Sequence, residues 1–265
     1  MSSEIYTPLS AQEVEGRFNA IVTVWNLDER YHPAARLAMD HYVQNGLYHN
    51  LNHMFEVTER VLALFDEYQE HEDFDLTMQD RQELLMAALW HDADYHLPIG
   101  NSVEESKEYR SATLAFNAIT STSEPRGSWE NTAFAGGVAY LILSTQADKQ
   151  VEYGTAAYLL NTADLDNLTG TTQETLLKSG KFFIEQLMAD GKQATASAQE
   201  ALDAHSDTLR SWCLKARARL NLLAEAKQLP EDINKRITQI TPGAIKGVLA
   251  KLALQETTQN EQKEA

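Results

Sequence analysis

Apolar residues recur at spacings of three and four along most of the chain, and strict alternation of apolar and polar positions is almost absent. This pattern predicts an all-α protein. Val14, Phe18, Ile21, Val22 and Trp25 share one stripe of a helix over Ser10–Asn26, with Ser10 placed to cap it. Pro33 suits the first turn of a second helix, which continues through Ala34–Val43 to a stop at Gly46. Met54, Val57, Val61, Leu64 and Tyr68 mark a third helix, and Thr77–Tyr95, Val103–Thr120 and Trp129–Ser144 a fourth, fifth and sixth. In the sixth, Gly136-Gly137 allows a kink or a close helix contact. The pattern resumes over Tyr153–Leu168, Thr171–Ala189, Ala194–Lys227 with a break near Asp207, Glu231–Ile240 and Pro242–Leu254. Ser121–Ser128 is the clearest loop, no internal repeat is visible, and Gln255–Ala265 is polar enough for a disordered tail.

The fourth helix carries the most informative stretch. Leu84 to Trp90 is an unbroken apolar run that ends in His91-Asp92. If the run is helical to Tyr95, then Leu84, Ala88, His91 and Tyr95 share one stripe and Asp92 lies beside it. A carboxylate there is costly unless a cation, a hydrogen bond or a metal ion meets it. A helix end that reaches solvent is the ordinary alternative. Two further places raise the same question. His49 and His53 precede or open the third helix and would project from one face if the turn between them is helical. Asp164 stacks with Leu160 and Leu168 on an apolar face, where a capping carboxylate is the ordinary reading. Arg36 and His41 read as surface residues, although Arg36 could serve a phosphate.

Composition narrows the chemistry. Of the 265 residues, 22 are Lys or Arg and 39 are Asp or Glu, a formal charge of -17 that repels polyanions and argues against a nucleic-acid polymer as partner. Cys213 is the single cysteine, so a metal site must use His, Asp and Glu. No run approaches the roughly 20 apolar residues that span a bilayer, and Met1-Ser2-Ser3-Glu4 lacks the look of a signal segment. A soluble, cytoplasmic protein with no membrane partner is expected.

His53, the His91-Asp92 pair and Asp164, in this order on separate helices, resemble the HD-domain superfamily of metal-dependent phosphohydrolases. Four segments resemble one subgroup, the predicted metal-dependent HD phosphohydrolases: Tyr48-His49-Asn50-Leu51-Asn52-His53, Ala88-Leu89-Trp90-His91-Asp92, Glu108-Tyr109-Arg110-Ser111-Ala112 and Ala163-Asp164-Leu165. The sequence departs from the subgroup at Leu47, Thr162 and Gln146-Ala147-Asp148, where basic, acidic or histidine residues are usual. The resemblance covers about 10–189 and implies an HD-like helical bundle there. The rest has no counterpart in the family; with its helical patterning read as an extension over 190–254 and its polar end as a tail over 255–265, one domain over residues 1–254 is expected. The resemblance also implies one divalent ion held by His53, His91, Asp92 and Asp164.

Two imidazoles and two carboxylates suit Mn, Fe, Co, Ni, Zn or Mg, and leave room for water and a phosphoryl oxygen. The activity implied is hydrolysis of a phosphate ester in a small phosphorylated molecule such as a nucleotide. His49, Asp94 and Glu108 are the nearest candidates for proton transfer, and Lys107 and Arg110 for holding phosphate. For each of these five, a surface or structural role is the ordinary alternative. Two other functions stay open: a nucleotide-binding protein without turnover, and an HD-type di-iron oxygenase. The latter needs extra histidines where only His96 occurs.

Overall fold

Capping chemistry sets where the helices begin. In the computed structural model, which describes residues 9–42, 48–95, 106–146, 149, 151–166 and 185, Ser10 accepts from the Glu13 backbone while the Glu13 carboxylate accepts from that of Ser10. Behind this box α1 runs Ala11–Trp25 and closes on Asn26 in the left-handed region, at φ 52°. α2 (His32–Ala38) has Pro33 in its first turn but stops before the expected Val43, because the chain tightens into a 3-10 turn over Met39–His41 and becomes extended at Tyr42. Gly46 lies outside the described residues.

α3 (Leu51–Tyr68) opens on Asn50, whose side-chain oxygen accepts from the backbones of Asn52 and His53. His49 therefore precedes the helix, and the helical stacking of His49 on His53 is corrected: Asn50, at φ -136° and ψ 179°, is extended. α4 (Met78–Trp90) starts on a Thr77–Asp80 capping box and is shorter than predicted. α5 (Lys107–Thr122), α6 (Trp129–Ser144) and α7 (Ala156–Asp166) follow, the first two capped by Ser106 and Ser128. α6 is continuous across Gly136-Gly137, and Gly137 lies against the Glu83 carboxylate, where a Cβ would collide. Close contact is thus the outcome of the two offered by that glycine pair.

Seven α-helices and no strand occur among the described residues. None of these helices is long and apolar enough to cross a membrane. Pro8–Asp164 forms one compact unit, while the second, Met1–Thr7 with Leu165–Ala265, lies almost wholly outside the described residues, as do the expected helices beyond Leu168, the extension over 190–254 and the tail.

Within Pro8–Asp164, α4 packs against α1, α2, α3, α5 and α6. Every side chain from Leu84 to Trp90 is buried, which is why the run has no polar face: a helix surrounded by others is apolar all round. The position of His91-Asp92 is thereby set by a rigid rod. Leu85→Ala, deep in this rod, should lower unfolding stability by about 2–5 kcal/mol through lost burial and the cavity left behind. Urea unfolding of the variant would measure it.

Candidate metal centre

Four side chains from three places in the fold converge. His53 is in the first turn of α3, His91 and Asp92 follow the last residue of α4, and Asp164 is on α7. One donor atom from each lies within 4.8 Å of all the others. The Asp92 Oδ2 is 3.1 Å from Nε2 of both His53 and His91, and these two nitrogens are 3.2 Å apart. The Asp164 Oδ1 stands 3.8 Å from each of them. His53, His91 and Asp92 are buried, whereas the Asp164 side chain keeps 27 % of its surface exposed, so the cluster meets solvent on that side.

The local backbone explains how the pair at the end of α4 reaches this arrangement. His91 still has helical dihedrals, φ -57° and ψ -34°, but the regular helix has ended at Trp90 and the chain turns, with Asp94 in the left-handed region at φ 57°. The stripe expected to run helically to Tyr95 is thus broken after His91. The His91 Nδ1 lies 2.7 Å from the Ala88 carbonyl, which can only accept, so Nδ1 carries a proton and Nε2 is the nitrogen turned toward the cluster. An imidazole held from behind in this way is oriented as metal-binding histidines usually are.

Electrostatics point the same way. Burial works against ionising Asp92, but the neighbouring His91 and His49 and hydrogen bonds from His53 and His91 outweigh it and hold the carboxyl well below its ordinary range. Burial likewise disfavours the His91 cation, yet Asp92, then Asp164 and the Ala88 carbonyl, raise it to about 9. Without an ion, a proton on imidazole is the positive charge between two carboxylates. A dication fits the same place, and this His/His/Asp/Asp group could hold one.

No protein-family model matches the chain, and no curated protein matches it. Solved structures do. The phosphodiesterase domain of Salpingoeca rosetta rhodopsin phosphodiesterase superimposes with a TM-score of 0.55 at 17% identity, over 99% of this chain and 95% of that one. A second structure, the phosphodiesterase domain of a RhoPDE fusion protein from the same choanoflagellate, gives 0.56 at 15% identity over 97% and 98%. The fold is that of these phosphodiesterase domains. Assignment to the HD phosphohydrolase subgroup is therefore withdrawn, together with the HD-like bundle it implied. The physical reason is that three of the four quoted segments surround the His53–His91–Asp92–Asp164 cluster, and short segments around one cluster do not specify the path of the helices that carry it.

The other candidate residues are placed unevenly. His49 is buried, with Nε2 3.5 Å from the Asp92 Oδ2, and its ring stacks on Tyr95 at a centroid separation of 3.3 Å. Its ring also meets that of His53 edge to face at 5.4 Å, so the two histidines come together across the cap instead of along a helix. The Lys107 ammonium sits 4.1 Å over the same Tyr95 ring and 4.0 Å from the Glu108 Oε1. Burial opposes its charge, but Tyr95, Asp92 and Glu108 prevail and raise its pKa. Glu108 and Arg110 are half-buried in the first turn of α5. Asp94 pairs with His41, at 3.1 Å from its Nδ1. Arg36 is engaged by a two-pronged pair with Glu15 and lies over the Phe18 ring, at the surface as its sequence reading expected.

Three contributors escaped the sequence reading. Tyr42 accepts from the Asp92 backbone through its hydroxyl, His41 holds Asp94, and Tyr95 supports His49. Asn50 did carry a readable signal, an Asn immediately before an apolar helical run. The tyrosines carried none, since buried aromatic residues are ordinary core.

Proposed function

We propose that this chain is a metal-dependent phosphohydrolase that cleaves a phosphate ester, with a nucleotide phosphodiester as the favoured substrate class. The supporting observation is the buried His53–His91–Asp92–Asp164 cluster on a fold shared with phosphodiesterase domains. These four residues would hold one divalent ion, the two carboxylates balancing its charge and the imidazoles supplying borderline nitrogen donors. When bound, such an ion polarises a phosphoryl oxygen and lowers the pKa of a water.

The remaining roles belong to the chain itself. His49 is the best placed proton carrier: its Nε2 is beside the cluster, and the Tyr95 stack fixes the ring plane. Lys107 and Arg110 would bind phosphate oxygens at the start of α5, with Glu108 setting the position of the Lys107 ammonium or assisting proton transfer. The half-exposed Asp164 edge is the approach for an anionic substrate, whose charge the lysine and arginine offset against the acidic field of the protein.

The purified full chain, reconstituted separately with Mn, Co, Ni, Fe and Mg, should hydrolyse nucleotide diesters to a nucleoside monophosphate, and generic phosphodiesters to a phosphomonoester and an alcohol, in a metal-dependent way. The phosphomonoester, phosphate, pyrophosphate and nucleoside are read separately, which identifies the bond cleaved. Tight nucleotide binding with no turnover under any metal would replace hydrolysis by sequestration. His49→Gln should lower turnover by about 10²–10⁴-fold while metal content is kept, the loss typical of a missing acid or base. Unchanged turnover in that variant would move proton transfer to another group.

A further inference from the structure

The turn that carries Asp92 is held from outside by two consecutive residues of another segment. The backbone N–H of Asp92 donates to the Tyr42 hydroxyl at 3.3 Å, and that of Asp94 donates to the His41 carbonyl at 3.1 Å. The other two N–H groups are satisfied within the turn, Ala93 to the Trp90 carbonyl at 3.1 Å and Tyr95 to that of Asp92 at 3.2 Å. The Ser111 hydroxyl donates to the Ala93 carbonyl at 2.9 Å. Every backbone N–H from Asp92 to Tyr95 thus has a partner, and half of these partners belong to His41 and Tyr42.

His41 grips Asp94 twice. Besides its carbonyl, its Nδ1 lies 3.1 Å from the Asp94 Oδ1, and the imidazole rests against the Trp90 indole at 5.2 Å between centroids. Asp94 itself sits at φ 57°, a conformation that Asp, Asn and Gly adopt most readily among the residues. Its carboxylate is therefore spent on a contact that fixes the turn. Tyr42 is buried and, through its burial and the nearby carboxylates of Asp92 and Asp164, stays a neutral phenol.

We infer that His41, Tyr42 and Asp94 form a backbone clamp that positions Asp92 for metal binding, and that Asp94 is a positioning residue and not the proton donor. This rests on the metal reading of the cluster, since it assigns to the clamp the placement of one of its ligands. The chemistry is that of an outer partner: the left-handed residue reverses the chain directly after Asp92, and the two hydroxyl and carbonyl acceptors of the neighbouring segment hold the reversed turn in one place. The clamp also explains why an Asp is useful two residues beyond a ligand. It combines tolerance of positive φ with an acceptor that can reach His41.

The test uses the full chain in five forms: unaltered, His41→Ala, Tyr42→Phe, Asp94→Ala and Asp94→Asn. Three quantities are measured: Mn binding by calorimetry, amide hydrogen exchange of a peptide spanning residues 90–95 in the metal-free protein, and Mn-dependent turnover of a generic phosphodiester. His41→Ala, Tyr42→Phe and Asp94→Ala should each weaken Mn binding by about 10–100-fold and speed exchange of that peptide about tenfold or more, while exchange in α1 and α6 is unchanged. Asp94→Asn keeps both the left-handed tolerance and the acceptor, and should stay within about threefold of the unaltered protein in all three measurements.

Exchange and affinity unaltered by His41→Ala and Asp94→Ala would overturn the clamp even if the unaltered protein binds Mn. Accelerated exchange in a protein that binds no metal in any form would overturn its role toward a metal, and the metal reading with it, while leaving the turn contacts in place. Loss of turnover in Asp94→Asn with Mn affinity intact would return Asp94 to proton transfer and overturn its assignment here.

Discussion

Asp92→Ala should abolish metal binding and any hydrolysis together. The Asp92 Oδ2 is the common partner of the cluster, 3.1 Å from His53, 3.1 Å from His91 and 3.5 Å from His49. Without it the two imidazole nitrogens face each other with only Asp164, at 3.8 Å from each, to balance an ion. Loss of a ligand exceeds the loss of an outer partner, so affinity should fall by more than about 100-fold. The helices should persist, because the Asp92 backbone bond to Tyr42 does not involve its side chain and α4 is held by apolar packing. The stability cost in the metal-free protein should be smaller than the roughly 3–5 kcal/mol of an orphaned buried charge, since His91 can release its proton when its carboxylate is gone. Metal analysis of the purified variant, with thermal melting followed by far-ultraviolet dichroism, measures both. Full metal occupancy in Asp92→Ala would refute the proposed ligand set.

Metal affinity should climb steeply between pH 7 and about 9. In the metal-free protein Asp92 and Asp164 hold the His91 imidazolium up to about pH 9, and an ion can use Nε2 only after that proton leaves. Binding at pH 7 should thus release close to one proton from His91, and affinity should rise about tenfold per pH unit until the slope flattens near 9. Calorimetry of Mn binding in buffers of different ionisation enthalpy counts the protons directly. The stability of the metal-free protein runs in the opposite sense. Because the folded value of His91, about 9, is above its ordinary 6.5, its contribution is complete below about pH 6.5 and disappears as pH rises through 9; on the order of 3 kcal/mol is shared between it and Asp92. Asp92, held low by the same contacts, contributes above its ordinary value near 4 and loses that contribution as pH falls through its depressed one. A metal affinity flat from pH 7 to 9 would show that His91 carries no proton for the ion to displace.

Local chemistry was legible in the sequence wherever it depends on neighbours along the chain. The helical class follows from spacings of three and four, the starts of α1 and α4 from Ser10 and Thr77 with an acidic residue three positions on, and the whole of α6 from Ser128 and the pattern after it. The suspicion attached to His53, His91, Asp92 and Asp164 came from the cost of polar groups on apolar faces, and burial in the fold agrees for the first three. What stayed hidden depends on positions distant in sequence. Only tertiary packing decided that α4 ends at Trp90, since the reversal at Asp94 is held by His41 and Tyr42, which no local pattern connects to it. Only packing stacked His49 on Tyr95, engaged Lys107 with that ring and paired Arg36 with Glu15. The family, too, was misread from short segments, because four clustered polar side chains constrain only the residues around them while the path of the helices that bring them together is set by packing over the rest of the chain. Sequence therefore determined which side chains could not lie on an apolar face without a partner, a matter of desolvation at each position; the structure decided which of them share one, a matter of where the helices meet.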